Sequence, residues 1–319
     1  MKKFILNTCL FLFFTVIFYI ILLFFWMGYA PEFLKPDGNY PIGGYGHLYS
    51  RISDIKKHKN TDILFLGSSH AYRGFDTRIF AENGYSSFNL GSNSQTPLQA
   101  EILLNKYLDI LNPKIIIYEV YPYSLFNSDG VEAALDLIAN DKKDFNSLKM
   151  ALTINNIKVY NAIIYGFICD FFKLNDNFVE EKAKEKDTYI SGGFVEKSMS
   201  FYKPGSFAKI EIGIIPYQAA SFEKIIEKIK KKNIKLILVY APITKVRYDS
   251  FENSVCIEKI TEQYGDYYNF NQLMNLNDSL HFYDSHHLNQ TGVKLFNEKV
   301  IEILNKHKYK ELLRYSRSE

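Results

Sequence analysis

Two short stretches of this 319-residue chain gather the residue types that do chemistry. The first is Gly67-Ser68-Ser69-His70, and the second runs Asp284-Ser285-His286-His287-Leu288-Asn289-Gln290-Thr291-Gly292. A serine hydroxyl is a weak nucleophile until a neighbouring imidazole takes its proton. The imidazole in turn needs a carboxylate to fix its tautomer and stabilise its charge. Asp284 and His287, three residues apart, can make that second pair within one loop, so the fold need only deliver one serine to them. A metal centre is the competing reading, because His281, His286, His287 and Asp284 are all good ligands. No spaced pair of histidines on an expected helix supports it, which leaves His281 and His286 as surface or supporting residues. Gly-Ser-Ser after a strand is also, by itself, an ordinary turn feeding a helix cap.

The elements that must position these clusters follow from the apolar pattern. Asp62–Leu66 is a short apolar run ending in Gly67, the form of a buried parallel strand. A second strand ends near Phe88-Asn89-Leu90, a third is Lys114–Val120, a fourth Ile234–Tyr240 and a fifth Asp266–Phe270. Thr96-Pro97-Leu98-Gln99 is a helix start, with a cap, Pro at the first helical position and Gln three residues after the cap. It opens a helix to about Ile110. Phe222, Ile225, Ile226 and Ile229 repeat at helical spacing, 251–264 is a further helix, and Val293, Phe296, Val300 and Leu304 mark the last one. Strands separated by helices predict an α/β fold of three layers, with a mainly parallel five-stranded sheet. Such sheets bind ligands beyond the carboxyl ends of their strands, where both polar clusters fall. The alternation lapses between about 126 and 216, which reads as an insertion that could cap the site.

The two clusters resemble the SGNH (GDSL-like) hydrolase superfamily. Its first block is Gly-Asp-Ser after strand one, and its last is Asp-x-x-His, commonly followed by Pro-Asn-x-x-Gly. The resemblance makes Ser69 the nucleophile, with Ser68 where the family usually has Asp, His287 the general base and Asp284 its partner; Asn289 and Gly292 match as well. The Asn-x-Gly block is similar to Asn89-Leu90-Gly91, which implies that the Gly91 N–H helps to form the oxyanion hole. The Gly-x-Asn-Asp block is not matched, and Asn93 is the expected replacement for its side-chain donor. His70, Glu119 and Tyr121 are expected to line the pocket. Gly-Ser-Ser, the unmatched block and the apolar amino terminus look more like a membrane-anchored branch that includes D-alanine-transfer and exopolysaccharide O-acetylation proteins. The resemblance therefore implies an esterase or acyltransferase needing no metal or organic cofactor. It also implies an acylated glycan or cell-wall polymer as substrate and a membrane acyl-donor protein as partner. A catalytically inactive glycan-binding or scaffold protein on the same fold is the alternative.

Composition sets the surroundings. With 38 Lys+Arg against 35 Asp+Glu the net charge is only +3, which argues against a dedicated nucleic-acid binder. Three cysteines exclude a disulfide-stapled scaffold. From Phe4 to Met27 no residue is charged, a run longer than the apolar part of a secretory signal, with Trp26 and Tyr29 where interfacial aromatics belong. Residues 1–27 are thus expected to form a short cytoplasmic tail and an uncleaved single-pass anchor. Lys2 and Lys3 keep the tail inside, so the remainder faces outward. Residues 28–60, rich in Pro and Gly, are expected as stalk and lead-in, 61–306 as the α/β domain and 307–319 as a tail.

Overall fold

The computed structural model describes residues 1–35, 41–306, 309, 311 and 312. Its strands are β1 (Ile63–Leu66), β2 (Ser87–Asn89), β3 (Ile115–Glu119), β4 (Ala183–Lys184), β5 (Asp187–Ile190), β6 (Phe194–Lys197), β7 (Lys235–Tyr240) and β8 (Asp266–Asn269). Five of them form one parallel sheet in the order β2-β1-β3-β7-β8, while β4, β5 and β6 make a small antiparallel sheet. The central strands are apolar except for Glu119 at the end of β3 and Lys235 at the start of β7, because both faces are covered. Side chains alternate between the faces. Ile63, Phe65, Ile117 and Val239 pack with Phe75, Phe80 and Phe296 on one side; Leu64, Leu66, Ile116 and Leu238 pack with Leu103, Phe222 and Ile225 on the other. The protein is a three-layer α/β fold, as its sequence pattern predicts.

The helices sit where their signals place them. Pro97–Leu111 opens with Thr96 and Gln99 in a reciprocal capping box, and Pro216–Lys231 ends in lysines that favour its carboxyl dipole. The helix expected over 251–264 is shorter, Ser254–Glu262.

The insertion holds three helices, Val131–Asn140, Phe145–Ile154 and Ile157–Phe171, followed by β4 to β6. Its second half is tied to the parallel sheet. The Asn89 N–H, on edge strand β2, donates to Gly192 O at 2.7 Å, so the β5–β6 turn covers an edge that would otherwise offer free backbone groups.

The stretch 28–60 departs from the expected stalk. Residues 36–40, with Pro36 and Gly38, lie outside the described residues, but Leu48–Asp54 is a helix seated in the domain. Arg51 is fully buried; its guanidinium donates to Gly193 O and Gly46 O and lies over the Tyr72 ring. Asp54 accepts from Tyr189, Ser191 and the Gly192 N–H. Composition alone reads this segment as a linker because eight of its 33 residues are Pro or Gly, whereas hydrogen bonds made by the buried Arg51 and Asp54 side chains hold it down. Of the expected tail 307–319, only 309, 311 and 312 are described, and Tyr309 is buried with its hydroxyl on Asp266.

Lys2–Tyr29 is one helix of 28 residues, with an 18-residue window of mean hydropathy 2.8 that is 6% buried. At 1.5 Å per residue it extends roughly 42 Å, long enough and apolar enough to cross a membrane. Its second half lies against Ile157–Phe171, where the Tyr19 hydroxyl donates to Asn161 and Phe24 meets Tyr165.

Gly193 combines φ of +98° with a position where a Cβ would lie 2.2 Å from Asn89 O. Gly193→Ala should therefore destabilise the full chain by about 2 kcal/mol or more and lower its thermal unfolding midpoint by several degrees. An unchanged midpoint would show that the edge cover contributes nothing.

Candidate active site

The site begins where β1 stops. Gly67 has φ of +133°, and a Cβ there would stand 2.6 Å from the Glu119 Cβ, so only glycine lets the chain turn this close to the end of β3. Ser68 caps the short helix Ser69–Gly74, accepting from the His70 N–H through its hydroxyl. Its own N–H and hydroxyl both donate to Glu119 Oε2, at 3.0 and 2.9 Å. With that hydroxyl hydrogen committed, the 2.9 Å contact between Ser68 Oγ and His70 Nδ1 has the imidazole as donor. Glu119 is pushed up to about 7 by its burial, against the pull of the Ser68 hydrogen bonds. Ser69 is the first helical residue, so it brings an N–H that the helix leaves unbonded.

The second half builds itself. Asp284 Oδ1 accepts the backbone N–H groups of His286 and His287, closing the loop on its own carboxylate. Asp284 Oδ2 lies 2.8 Å from His287 Nδ1, and His287 Nε2 lies 2.7 Å from Ser69 Oγ. Ser69, His287 and Asp284, which sequence reasoning grouped, thus come together across 218 residues in one hydrogen-bonded chain. Burial would raise Asp284, but the hydrogen bond and charge of His287 outweigh it and hold the carboxyl below its usual range. Burial lowers His287 further than Asp284 raises it, so the ring is neutral near pH 7 with Nε2 free to take a proton. The Tyr283 ring stacks on His287 at 5.4 Å and 7°. Asn289 caps the Gln290–Leu304 helix through the Gly292 N–H and reaches Leu280 O and Ser200 O, which anchors the loop.

Other expected residues have different partners from those the sequence suggests. The Gly91 N–H, expected to face an oxyanion, donates to Asn89 Oδ1 at 3.1 Å. The Asn93 amide, expected as the side-chain donor, is turned to Glu132 at 2.9 Å on the exposed side. For Gly91 the reason is local, since Asn-x-Gly supplies an acceptor two residues away; for Asn93 it is tertiary, since Glu132 lies on the helix Val131–Asn140 of the insertion. His70 and Tyr121 are in the site, their rings 4.5 Å apart, and Glu119 lies beneath Ser68 rather than in the open pocket. His281 does not join the other histidines as a ligand; its Nδ1 accepts from the Asn277 N–H and braces the loop. Among the described residues, the group whose ligand atoms lie close enough to hold a metal is His70, His286 and His287.

Sequence reasoning missed Tyr283, although it directly precedes Asp284, and the Arg73–Asp187 ion pair beside it. Arg73 makes two hydrogen bonds to Asp187, at 3.0 and 2.7 Å, and stands 6.0 Å from the Tyr283 ring. No spacing rule links two residues 114 apart.

No family model matches the chain, and no curated protein is found similar to it. Among solved structures, one from Bacteroides fragilis described as a "putative acylhydrolase" is 11% identical, with a TM-score of 0.41, covering 82% of this chain and 97% of that one. A structure of a GDSL-like lipase from Bacteroides thetaiotaomicron is 13% identical, with a TM-score of 0.41, covering 82% and 98%. At that distance the likeness says nothing about chemistry.

The lowered His287 sets a pH profile. Its folded value lies below 6.5, so the neutral base persists as pH falls through the range where a free imidazole would be half protonated. The rate of Ser69 modification by a fluorophosphonate should rise with pH through a midpoint below about 6.5 and level off by about 7. A midpoint above 7 would mean that Asp284 stabilises the imidazolium more than burial opposes it.

Proposed function

We propose that the chain is a membrane-anchored serine esterase or O-acyltransferase working outside the cytoplasm, with Ser69 as nucleophile, His287 as general base and Asp284 as its orienting partner. The observation that carries this reading is the unbroken chain of contacts from Asp284 through His287 to Ser69, 2.8 and 2.7 Å long. Ser69 Oγ attacks an ester carbonyl while His287 Nε2 takes its proton; His287 then returns that proton to the leaving alcohol, leaving an acyl group on Ser69. Water completes hydrolysis, and a sugar hydroxyl completes transfer. The developing oxyanion draws on the Ser69 N–H, and on the Gly91 N–H once it is drawn away from Asn89 Oδ1. This chemistry asks for no metal or organic cofactor.

The apolar helix Lys2–Tyr29 supports a single-pass anchor with Lys2 and Lys3 inside. An anchored esterase acts on what lies within its reach, so the substrate in this reading is an acylated surface glycan or wall polymer. For transfer, the acyl donor would come from a membrane partner protein. One observation favours a second reading, a non-catalytic glycan-binding or scaffold protein. Two of the expected oxyanion donors, the Gly91 N–H and the Asn93 amide, already have protein partners.

Full-length protein in detergent should react with a fluorophosphonate at Ser69, Ser69→Ala should fall to background, and His287→Gln should slow labelling on the order of 10³-fold or more. Equal labelling of Ser69→Ala would remove the nucleophile. Absence of labelling together with retained binding of an acylated oligosaccharide would favour the second reading. Release of free carboxylate against ester formation on an added sugar then separates hydrolysis from transfer.

A further inference from the structure

We propose that His70, His286 and His287 form a binding site for a zinc-class divalent cation, and that occupancy takes the His287 Nε2 lone pair away from Ser69. The site itself stands on the histidines alone; only the competition with Ser69 rests on the serine reading above.

One ligand nitrogen from each ring lies within 4.8 Å of the other two. The rings sit face to face or tilted, with centroids 4.1 Å apart for His286 and His287, 5.0 Å for His70 and His287 and 5.4 Å for His70 and His286. What singles the cluster out is the fate of the other nitrogen on each ring. His287 Nδ1 is held by Asp284, His70 Nδ1 by Ser68 with Glu119 behind it, and His286 Nδ1 by Ser285 at 2.9 Å. Metal-bound histidines carry this kind of outer hydrogen bond, because it fixes the tautomer and leaves the inner lone pair directed at the ion. On His70 and His286 the Nε2 is left for that role, while on His287 it is shared with Ser69 Oγ at 2.7 Å.

His70 supplies the second observation. Its side chain is 4% exposed, and its Nε2 is buried without a partner among the described residues. A lone pair stripped of water and given nothing in return is costly. A cation shared with His286 and His287 would satisfy it. Asp284 and Glu119 supply carboxyl groups just outside the rings. Of the nearby cations, Arg73 and Lys197 are paired with Asp187, while Arg247, close enough to act on His286, lies over the Phe207 and Phe251 rings.

Zinc–nitrogen bonds of about 2.0–2.1 Å require nitrogens roughly 3.4 Å apart, so the cluster must tighten. His286 can do so, since its side chain is 37% exposed and only its Nδ1 is tied. Three imidazoles select zinc-like ions over magnesium or calcium, which prefer oxygen. The fourth position faces Ser69 or water. With the metal in place His287 cannot accept the serine proton, so the cation acts as a reversible brake.

The test uses full-length protein in detergent with Zn²⁺ alone, followed by calorimetry, and with Co²⁺ alone, followed by its visible absorption. The expected result is one site per chain with the spectrum of a four-coordinate nitrogen-rich centre. His286→Ala, at a half-exposed position, should weaken Zn²⁺ binding by at least roughly tenfold, and His70→Gln should do the same. Ser69→Ala should bind at least as tightly as the unaltered protein. Zn²⁺ should slow fluorophosphonate labelling of the unaltered protein and lose that effect on His286→Ala. Binding that survives both histidine substitutions overturns the site, as does intact labelling that saturating Zn²⁺ neither binds nor slows. Single-site binding that depends on the three histidines, in a protein that no fluorophosphonate labels, upholds the site and sinks the serine reading instead.

Discussion

The contact between Glu119 and the Gly67-Ser68 turn is the constraint from which the site is hung. A carboxylate at the end of β3 accepts both the N–H and the hydroxyl of Ser68, and it can come that close because residue 67 has no Cβ. The turn then fixes where the helix Ser69–Gly74 begins. That start decides two things together: Ser69 stands at the first helical position, and His70 lies inward against Tyr121. A buried acid held at about 7 is an unusual anchor, because burial alone favours its neutral form while the two donors of Ser68 favour the charged one. The balance keeps the acid and the turn dependent on each other.

The other half of the site reaches this turn through the last helix. Asn297 donates to Gly74 O at 2.7 Å and accepts the Asp76 N–H at 3.1 Å, while Phe296 packs on Phe75. These contacts join the carboxyl end of the short serine helix to the Gln290–Leu304 helix, and the loop carrying Asp284 and His287 is capped directly onto the latter by Asn289. The 2.7 Å separation of Ser69 and His287 is therefore set by packing on the layer that also holds Phe65, Phe75 and Phe296. Precision comes from rigid elements on both sides, and not from the loop itself.

How far the sequence could be read depended on the range of each interaction. Ile115–Tyr118 and Leu236–Tyr240 announce themselves as strand residues because burial on both faces demands unbroken apolar runs. Thr96 to Gln99 announces a helix because a cap is satisfied within four residues. The Asp284–His287 pair was legible for the same reason. The partner of Asn93 was not, since Glu132 stands on a helix of the insertion, 39 positions away. The stretch 41–60 read as a linker because Arg51 and Asp54 look like surface charges until Gly193, Tyr189 and Ser191 are folded onto them. His281 and His70 show the same limit: the residue near His286 in sequence braces a turn, and the one more than 200 positions away lies beside it.

By itself, the sequence determined the α/β layering, the apolar amino-terminal helix and the two blocks holding Ser69, Asp284 and His287, because each rests on periodicity or on contacts a few residues long. Only the tertiary structure decided which groups share a space. It buried Glu119 beneath Ser68, stacked Tyr283 on His287, turned the Asn93 amide outward and brought three imidazoles together. Those outcomes depend on which layer each helix packs into and on which acceptor is nearest once it has packed, and neither is encoded at any fixed spacing along the chain.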